Sequence, residues 1–306
     1  MKKLKVCFIG VGSIARRHIR NLHAVCTERS VDLTVDAVRG KQEPVEGVMN
    51  IFGDENDLSD DYDAVFITNP TNQHLKTLKT LHKKGKHFFI EKPVISLTQI
   101  EEAKGFALRD HAVYYVACPL RYHAVIQYIR DNIKPADVIS VRSICSSYLP
   151  DWRPGLDYRE LYSAYKEMGG GVSVDLIHEW DYLVYLYGVP DAVKSIISKK
   201  SNLETDSDDI AIYIAEYKDK TVELHLDYFG KKTIREIMLF TKTDTIICDL
   251  IGNKIKYLTS GNEIVLQEER DDYQKREMKA FLDMIDGKTE CNHGFLQGLE
   301  ILELTQ

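Results

Sequence analysis

A short apolar run that leads directly into a glycine turn constrains the fold of this chain more than any other feature. Residues 5–9 are followed by Gly10, Gly12 and Ala15 in the spacing G-x-G-x-x-A, and helical periodicity continues over 14–25. Gly10 lets the backbone turn sharply, Gly12 leaves room for a pyrophosphate, and Ala15 allows close packing of helix on strand. Taken alone, the glycines also fit a simple strand-to-helix turn. In this context we expect a dinucleotide site whose pyrophosphate contacts are Gly10, Gly12, Ser13, Ile14 and Ala15.

The order of apolar runs and helical patterns along the sequence divides the chain into two parts. The first part alternates strands and helices, as a parallel sheet with crossover helices does. Its predicted strands are 5–9, 33–38, 64–68, 87–90 and 114–117, and its predicted helices are 13–25, 72–84 and 97–109. The second part has predicted helices at 124–132, at 174–187 and from Tyr273 onward, and predicted strands at 138–146, 193–198, 210–217, 222–228, 235–241 and 244–249. We therefore expect a doubly wound (Rossmann) α/β domain over 1–119. An α+β domain with a large, mostly antiparallel open sheet, for substrate binding and oligomerisation, is expected over 120–306.

Charge and cysteine usage narrow the classes of partner. The formal net charge is −7, and no basic run with interleaved aromatic residues exists, so we expect no nucleic-acid partner. No apolar stretch reaches the roughly 20 residues that span a bilayer, and the N-terminal apolar segment ends at Gly10, so we expect neither a membrane partner nor a signal peptide. The six cysteines lack C-x-x-C spacing, which predicts reduced, buried thiols and no metal site. A small-molecule substrate and a cytoplasmic location are the expectation.

The end of the second predicted strand bears on the choice of nicotinamide cofactor. An acidic side chain there would bind the adenosine ribose, whereas a basic one would meet a 2′-phosphate. Asp36 lies in the middle of strand 33–38, while Arg39 takes the tip with Lys41 beside it. Charge-assisted hydrogen bonds from Arg39 and Lys41 favour NADP(H), with NAD(H) also possible. The alternative is a solvated arginine in a turn.

Further motifs follow the glycine turn in a specific order. They are Thr68-Asn69-Pro70 with His74, then Glu91-Lys92-Pro93, then Gly169-Gly170-Gly171 before a helix that carries Asp175 and His178. In this order they resemble the Gfo/Idh/MocA family of nicotinamide-dependent oxidoreductases, which act mostly on sugars, cyclitols and sugar derivatives. The resemblance covers essentially the whole chain. The ordered combination is far more specific than any one motif.

The resemblance implies roles at the matching positions. It implies that Lys92 contacts a substrate oxygen near the nicotinamide, that Asp175 binds substrate, and that His178 transfers a proton. The interval from Asp175 to His178 is three residues, where the commonest form of the family has four; both intervals keep two side chains on one helical face. The cofactor-binding positions implied by the resemblance are Thr68, Asn69, Pro70, His74, Glu91 and Lys92.

Elementary chemistry supports these roles independently. Hydride transfer from a secondary alcohol needs a group that moves the hydroxyl proton and a positive charge that stabilises the developing alkoxide. A histidine, with an ordinary pKa of about 6.5, suits the first task, and Lys92 suits the second. Alternative interpretations are a satisfied core histidine at 178, a solvated lysine at 92 and a helix-capping Asp175. The oxidoreductase hypothesis requires the Lys92 ammonium and the His178 imidazole to converge beside the nicotinamide.

Aromatic and arginine side chains in the second part are candidate substrate contacts. Arg121, Tyr148 and Trp152 could bind a sugar-like substrate, because aromatic faces stack on sugar rings and arginines pair with phosphates. They could equally be packing or subunit-contact residues. The loop that carries Tyr148 and Trp152, together with the helix that carries Asp175 and His178, resembles family members that act on nucleotide-linked sugars in surface-glycan biosynthesis. The open sheet would expose an apolar face, which predicts a homodimer or homotetramer.

Three other functions compete with this prediction. Tyr162 and Lys166 spell Y-x-x-x-K, the acid–base pair of short-chain dehydrogenases, but they follow a loop in the second part rather than lying on a helix of the nucleotide-binding part. A non-catalytic NAD(P)-binding sensor or scaffold would keep the cofactor site without turnover; the presence of Lys92 and His178 argues against it. A methyltransferase would share the glycine loop, but it does not predict the lysine and histidine.

Overall fold

The computed structural model describes residues 1–41 and 43–306, which form two compact units. The first unit consists of Met1–Cys118 and Arg270–Glu300, and the second of Pro119–Glu269 and Ile301–Gln306. The chain thus returns to the first unit after completing most of the second, which the sequence patterns did not predict.

The elements are numbered in chain order. The helices are α1 (Ser13–Glu28), α2 (His74–Leu81), α3 (Ile100–Lys104), α4 (Ala124–Asn132), α5 (Val172–Asp175), α6 (Ile177–Tyr187), α7 (Arg270–Ile285) and α8 (Phe295–Glu303). The strands are β1 (Lys2–Ile9), β2 (Val31–Val38), β3 (Asn50–Phe52), β4 (Tyr62–Ile67), β5 (Gly85–Glu91), β6 (Tyr114–Ala117), β7 (Val138–Tyr148), β8 (Ala192–Ser198), β9 (Ile210–Tyr217), β10 (Lys220–Asp227), β11 (Phe229–Thr241), β12 (Thr245–Asp249), β13 (Lys254–Tyr257) and β14 (Glu263–Val265). Short 3₁₀ turns connect several of these elements.

The first unit contains a parallel sheet in the order β3-β2-β1-β4-β5-β6. The strand order reverses at β1, whose neighbours are β2 and β4, and ligands of such sheets bind beyond the carboxyl ends of the strands at this point. Residues 6–9 of β1 are all buried, as expected for a strand covered on both faces. The topology confirms the predicted doubly wound fold.

Helix α7 belongs to the first unit and packs against residues of its sheet and of the end of α1. The ring of Phe281 lies edge-on to Phe66 and Phe89, with centroids 5.6 and 5.2 Å apart. Arg29, just after α1, donates to both carboxylate oxygens of Asp283 at 2.8 and 3.0 Å. Apolar burial and this bidentate ion pair explain why the segment from Arg270 joins the first unit.

The second unit contains an eight-stranded sheet in the order β14-β13-β12-β11-β7-β10-β9-β8. Its neighbours pair antiparallel except β10 and β7, which are parallel, so the sheet is mostly antiparallel as predicted. Burial alternates along β10: Val222 and Leu224 are buried, whereas Glu223 and His225 on the other face are partly exposed. That other face carries an open depression of about 480 Å³.

Two predicted helices differ most clearly from the observed ones. The helix predicted over 97–109 ends at Lys104, because Gly105 follows and glycine disfavours helix continuation. The helix predicted over 174–187 begins at Val172 and is interrupted at Leu176, whose φ of −97° and ψ of 23° separate α5 from α6.

The cysteines are buried with one exception. Burial raises the pKa of Cys26 to about 11 and that of Cys248 to about 12, so both remain thiols at neutral pH. Cys291 is exposed, so the prediction of buried cysteines is wrong at this position. Within residues 1–41 and 43–306, no helix has both the length and the apolar composition needed to cross a bilayer.

Candidate functional site

The turn after β1 is closed by the segment that follows β4. Gly10 has a φ of +84°, and a Cβ placed on it would lie 2.8 Å from Asn69 Cα. Thr68 Oγ1 donates to the Gly10 carbonyl at 2.7 Å. Pro70 begins the next turn, where its carbonyl accepts from Gln73 N at 2.8 Å. The structure therefore brings Gly10, Thr68 and Asn69 together, and a side chain at position 10 would displace the Asn69 backbone.

Gly12 lies at the N-terminus of α1, where the surroundings are open. No described atom lies within 4 Å of a Cβ placed on Gly12. Gly12 provides no side-chain cap, and the first turn of α1 has no acidic residue. Ser13 is exposed, whereas Ala15 is fully buried under the helix. The first backbone amides of a helix lack intrahelical acceptors, so this open helix start fits a pyrophosphate.

At the tip of β2, Asp36 and Arg39 differ in their environment. Asp36 is buried and accepts from Asn50 Nδ2 and Tyr62 OH, both at 2.8 Å, so its carboxylate belongs to the core. Arg39 donates its backbone amide to Phe52 O at 3.0 Å. Arg39 Nη1 is buried, and no hydrogen-bond partner for it exists among the described residues. Lys41 is exposed two residues further along.

Glu91 anchors the turn that presents Lys92. One Glu91 oxygen lies 2.5 Å from His18 Nε2 on α1, and the other accepts from the Lys92 backbone amide at 3.2 Å. Burial alone would raise the pKa of Glu91, but the contact with His18 holds this pKa below its usual value. Lys92 is half-buried and precedes a cis peptide bond to Pro93.

His74 connects this turn to the turn after β4. Its Nδ1 lies 3.2 Å from the carbonyl oxygens of both Pro93 and Val94, and its Nε2 lies 2.9 Å from that of Asn69. Burial lowers the pKa of His74. The imidazole thus fixes the distance between the Asn69 turn and the Lys92 turn from inside the fold.

In the second unit, Asp175 is a buried acceptor at the end of α5. Tyr228 OH donates to its Oδ2 at 2.6 Å; burial, and then the charge of Asp175 and a hydrogen bond to it, raise the pKa of Tyr162. The preceding glycine is required: Gly171 has a φ of +133°, and a Cβ there would lie 2.2 Å from Asp208 Oδ1. Asp175 and Tyr228 are therefore buried partners, whereas Tyr162 is 40% exposed and Asp208 is partly exposed.

His178, on α6, belongs to a different network of polar contacts. Its Nε2 lies 3.0 Å from Arg235 Nη2 and 3.2 Å from Glu179 Oε1. Asp175 and His178 lie on separate helices, because the backbone leaves the helical conformation at Leu176. The prediction that the two side chains share one face of a continuous helix is therefore wrong.

The predicted substrate contacts differ in accessibility. Arg121 is 1% exposed, and its Nε donates to both Asp181 oxygens at 2.8 Å, so it forms a buried ion pair. Tyr148, at the end of β7, has the Lys231 ammonium 3.4 Å from its ring centroid. Trp152 donates to Ser147 Oγ at 2.9 Å and packs edge-on against a tyrosine ring. Tyr148 and Trp152 are partly exposed, unlike Arg121.

Glu179 and Tyr228 contact the predicted site residues, and the sequence patterns did not identify them. Glu179 directly follows His178, and this adjacency is the sequence signal that could have marked it as a site residue. Nothing in the sequence reveals that Glu179 pairs with Arg235. Tyr228 comes between two strands, and only the three-dimensional fold brings it to Asp175.

The Y-x-x-x-K pair does not lie on a helix of the nucleotide-binding unit. Tyr162 and Lys166 begin two successive 3₁₀ turns, Tyr162–Ala164 and Lys166–Met168, in the second unit. This placement agrees with the rejection of the short-chain dehydrogenase hypothesis.

Sequence comparison matches residues 4–118, most of the first unit, to a known family. Residues 4–118 match the Gfo/Idh/MocA family, described as an oxidoreductase family with an NAD-binding Rossmann fold. The chain is 26% identical over 195 residues to the uncharacterized oxidoreductase YrbE of Bacillus subtilis. The aligned residues make up 61% of this chain and 54% of that protein. The alignment spans about half the length of this curated relative. The match confirms the predicted resemblance to this family, with its NAD-binding Rossmann fold, over residues 4–118.

Two solved structures share the fold of the whole chain. UDP-N-acetylglucosamine 3-dehydrogenase GnnA from Acidithiobacillus ferrooxidans superposes with a TM-score of 0.78 at 21% identity, covering 100% of this chain and 96% of that one. Over an aligned 131 residues, 42% of each protein, a UDP-N-acetylglucosamine 3-dehydrogenase of the same organism is 30% identical to this chain. Levoglucosan dehydrogenase in complex with NADH and levoglucosan gives a TM-score of 0.84 at 17% identity, covering 99% and 95%. These similarities confirm the predicted two-part architecture of sheets.

Proposed function

We propose that this chain, whose residues 4–118 match the Gfo/Idh/MocA oxidoreductase family, is a nicotinamide-dependent dehydrogenase. Its substrate would be a sugar or sugar derivative with a secondary hydroxyl group. The observation that carries this proposal is the open space around Gly12 at the start of α1. His74 links the nearby Asn69 turn to the turn that carries Lys92, because its ring contacts the carbonyl oxygens of Asn69 and Pro93. A dinucleotide phosphate fits this space, because the helix amides there need an acceptor.

The proposed reaction removes a hydride and a proton from the alcohol. A bound nicotinamide would supply the hydride acceptor for the carbon that bears the hydroxyl group. His178 takes the hydroxyl proton, so that the carbon–oxygen bond becomes a carbonyl and charge balances. The Lys92 ammonium stabilises the negative charge that develops on the substrate oxygen, and Asp175 accepts a hydrogen bond from a neighbouring hydroxyl. In the reductive direction His178 returns the proton.

Arg39 supports a preference for NADP(H). Its buried Nη1 needs an acceptor, and Asp36 is committed to Asn50 and Tyr62 rather than to a ribose hydroxyl. A 2′-phosphate would supply charged acceptor oxygens to the guanidinium. NAD(H) is the alternative cofactor, and titration of the protein with NADPH and with NADH distinguishes the two.

A nucleotide-linked sugar is the proposed substrate class. Partly exposed Tyr148 and Trp152 offer aromatic surface, and Lys231 places a positive charge beside Tyr148. The relative named UDP-N-acetylglucosamine 3-dehydrogenase supports the same class. Arg121 has no place in this proposal, since its guanidinium is buried against Asp181.

The test is a screen of sugars and nucleotide sugars, followed at the nicotinamide absorbance band with both oxidised cofactors. We expect turnover with at least one nucleotide sugar, and His178→Ala should reduce kcat by about 10²–10⁴-fold while leaving cofactor affinity nearly unchanged. His111→Asn, at an exposed histidine with positive φ, is the matched control and should retain full activity. Cofactor binding without turnover on any substrate would favour the sensor hypothesis instead.

A further inference from the structure

We propose that His18 is a positioning residue for Lys92: from the middle of α1 its imidazole donates to the Glu91 carboxylate, which in turn fixes the backbone of Lys92. This inference rests on the proposed function for the role of Lys92 in the reaction. The contacts that carry it all lie within the first unit. They connect the helix that begins at the proposed phosphate site directly to the lysine proposed to stabilise the substrate oxygen.

The His18 ring packs on strand β5. Phe89 and Glu91 are two residues apart on this strand, so their side chains lie on the same face of the sheet. The ring packs edge-on against Phe89, with centroids 5.0 Å apart, and its Nε2 lies 2.5 Å from Glu91 Oε1. The His18 side chain is 1% exposed. One buried side chain of α1 thus contacts the end of β5 through both a ring and a hydrogen bond.

The hydrogen bond between His18 and Glu91 has a defined direction. Burial would raise the pKa of Glu91, but the contact with His18 and the Lys92 charge hold this pKa below its usual value. At neutral pH the carboxylate therefore only accepts, and the proton in the contact belongs to His18 Nε2. His18 Nδ1 is buried and has no hydrogen-bond partner among residues 1–41 and 43–306, so a single donor accounts for the polar role of the ring.

The second oxygen of Glu91 contacts Lys92. Glu91 Oε2 accepts from the Lys92 backbone amide at 3.2 Å, and Lys92 is the first residue after β5. On the other side of Lys92, His74 Nδ1 lies 3.2 Å from the carbonyl oxygens of Pro93 and Val94. The backbone of Lys92 is thus held between two buried imidazoles, one on α1 and one at the start of α2. A group that stabilises a developing charge acts best when its position is fixed in advance.

A packing role for His18 is the alternative, and two substitutions distinguish it from a positioning role. Leucine has a similar volume but no donor, so His18→Leu keeps most of the packing and leaves a Glu91 oxygen without its hydrogen bond. Glutamine carries an amide nitrogen as many bonds from Cα as the imidazole Nε2, so His18→Gln keeps the donor. Packing alone predicts that His18→Leu resembles the wild type, whereas positioning predicts that His18→Gln does.

The first test measures the Lys92 backbone amide by NMR in cofactor-free protein labelled with ¹⁵N-lysine. The Lys92 signal is assigned by its loss in Lys92→Arg. In His18→Leu we expect this amide to exchange with solvent at least about tenfold faster than in the wild type, and in His18→Gln we expect it to stay close to the wild type. An unchanged amide in folded His18→Leu would overturn the inference. The readout needs no turnover, so its failure is distinct from failure of the proposed function.

The second test compares steady-state kinetics on a substrate found in the screen. His18→Leu should lower kcat at least about tenfold, because the Lys92 ammonium is no longer held in position, while KM changes much less. His18→Gln should retain most of kcat. The matched control is His23→Leu, since His23 is also a histidine of α1 but contacts Gly47 O, at 2.7 Å, and should leave kcat unchanged. A His18→Gln variant as slow as His18→Leu would contradict the inference.

The wild-type protein supplies a readout that does not depend on the folding of His18→Leu. The imidazole nitrogen chemical shifts of His18 are assigned by their loss in His18→Gln. We expect Nε2 to carry a proton at neutral pH, as the contact with the Glu91 carboxylate requires. A His18 ring whose Nε2 carries no proton would overturn the inference.

Discussion

Glu179 is a buried carboxylate whose charge is maintained by neighbouring side chains rather than by water. Burial alone would raise its pKa, but the Arg235 charge, the contact with His178 and the hydrogen bond from Tyr182 lower this pKa to about 2. A carboxylate with a lowered folded-state pKa stabilises the fold above its ordinary pKa of 4.5, and this contribution is lost as the pH falls toward 2.

The stability of Glu179→Gln should therefore depend on pH differently from that of the wild type. At neutral pH we expect the variant to lose about 3–5 kcal/mol of unfolding free energy, because Arg235 is left without its carboxylate. The difference between the two proteins should shrink below about pH 4.5, where the wild-type carboxylate becomes protonated on unfolding. Urea unfolding at several pH values measures this difference. A constant difference from neutral pH to about pH 3 would contradict the lowered pKa.

Arg39 provides a second prediction at the residue scale. Arg39→Gln removes the charge that we propose for the 2′-phosphate, so NADPH should bind at least about tenfold more weakly while NADH binding changes little. Fluorescence titration of both reduced cofactors measures this, and Lys41→Gln shows whether the neighbouring charge contributes. Equal loss for the two cofactors would assign Arg39 to the fold rather than to cofactor choice.

At the scale of elements, substitutions of the two glycines in the turn after β1 should cause different defects. Gly10→Ala should destabilise the protein, because its Cβ would meet the Asn69 backbone at 2.8 Å and because φ is +84°. Gly12→Ala should fold normally, since no described atom lies within 4 Å of its Cβ, but it should weaken cofactor binding at least about tenfold. Thermal melts and cofactor titrations of both variants separate the two roles. A stable Gly12→Ala variant with wild-type cofactor affinity would contradict the phosphate site.

The sequence patterns predicted most elements, and for some strands they also predicted the ends. Strands such as β6 and β9 carry uninterrupted or alternating apolar residues, and their predicted and observed bounds coincide. Strands β3 and β14 contain three residues each, which is too few for a periodic signal. The break at Leu176 has no local sequence signal, and the contacts on either side of it, Asp175 with Tyr228 and Glu179 with Arg235, join residues far apart in sequence. Motif order therefore identified the candidate residues, whereas their partners required the fold.

At the scale of the whole molecule, the prediction of a homodimer or homotetramer rests on the open face of the second sheet. Ile214 is 41% exposed, and Ile212, Ile144 and Met238 line the same depression together with charged residues. A second copy of the chain would cover this apolar surface. Ile214→Lys should shift the protein toward monomer in light scattering, whereas Leu258→Lys, at an exposed residue outside the depression, should not. A wild-type monomer at all concentrations would contradict this proposal.

The measurement that tests the account most directly compares wild type and His178→Ala in the same nicotinamide absorbance assay, with a panel of nucleotide sugars and both cofactors. We predict that wild type reduces cofactor with at least one nucleotide sugar and that the variant binds cofactor normally but loses turnover. A variant that turns over as fast as wild type would contradict the account, because the proton would then move through another group.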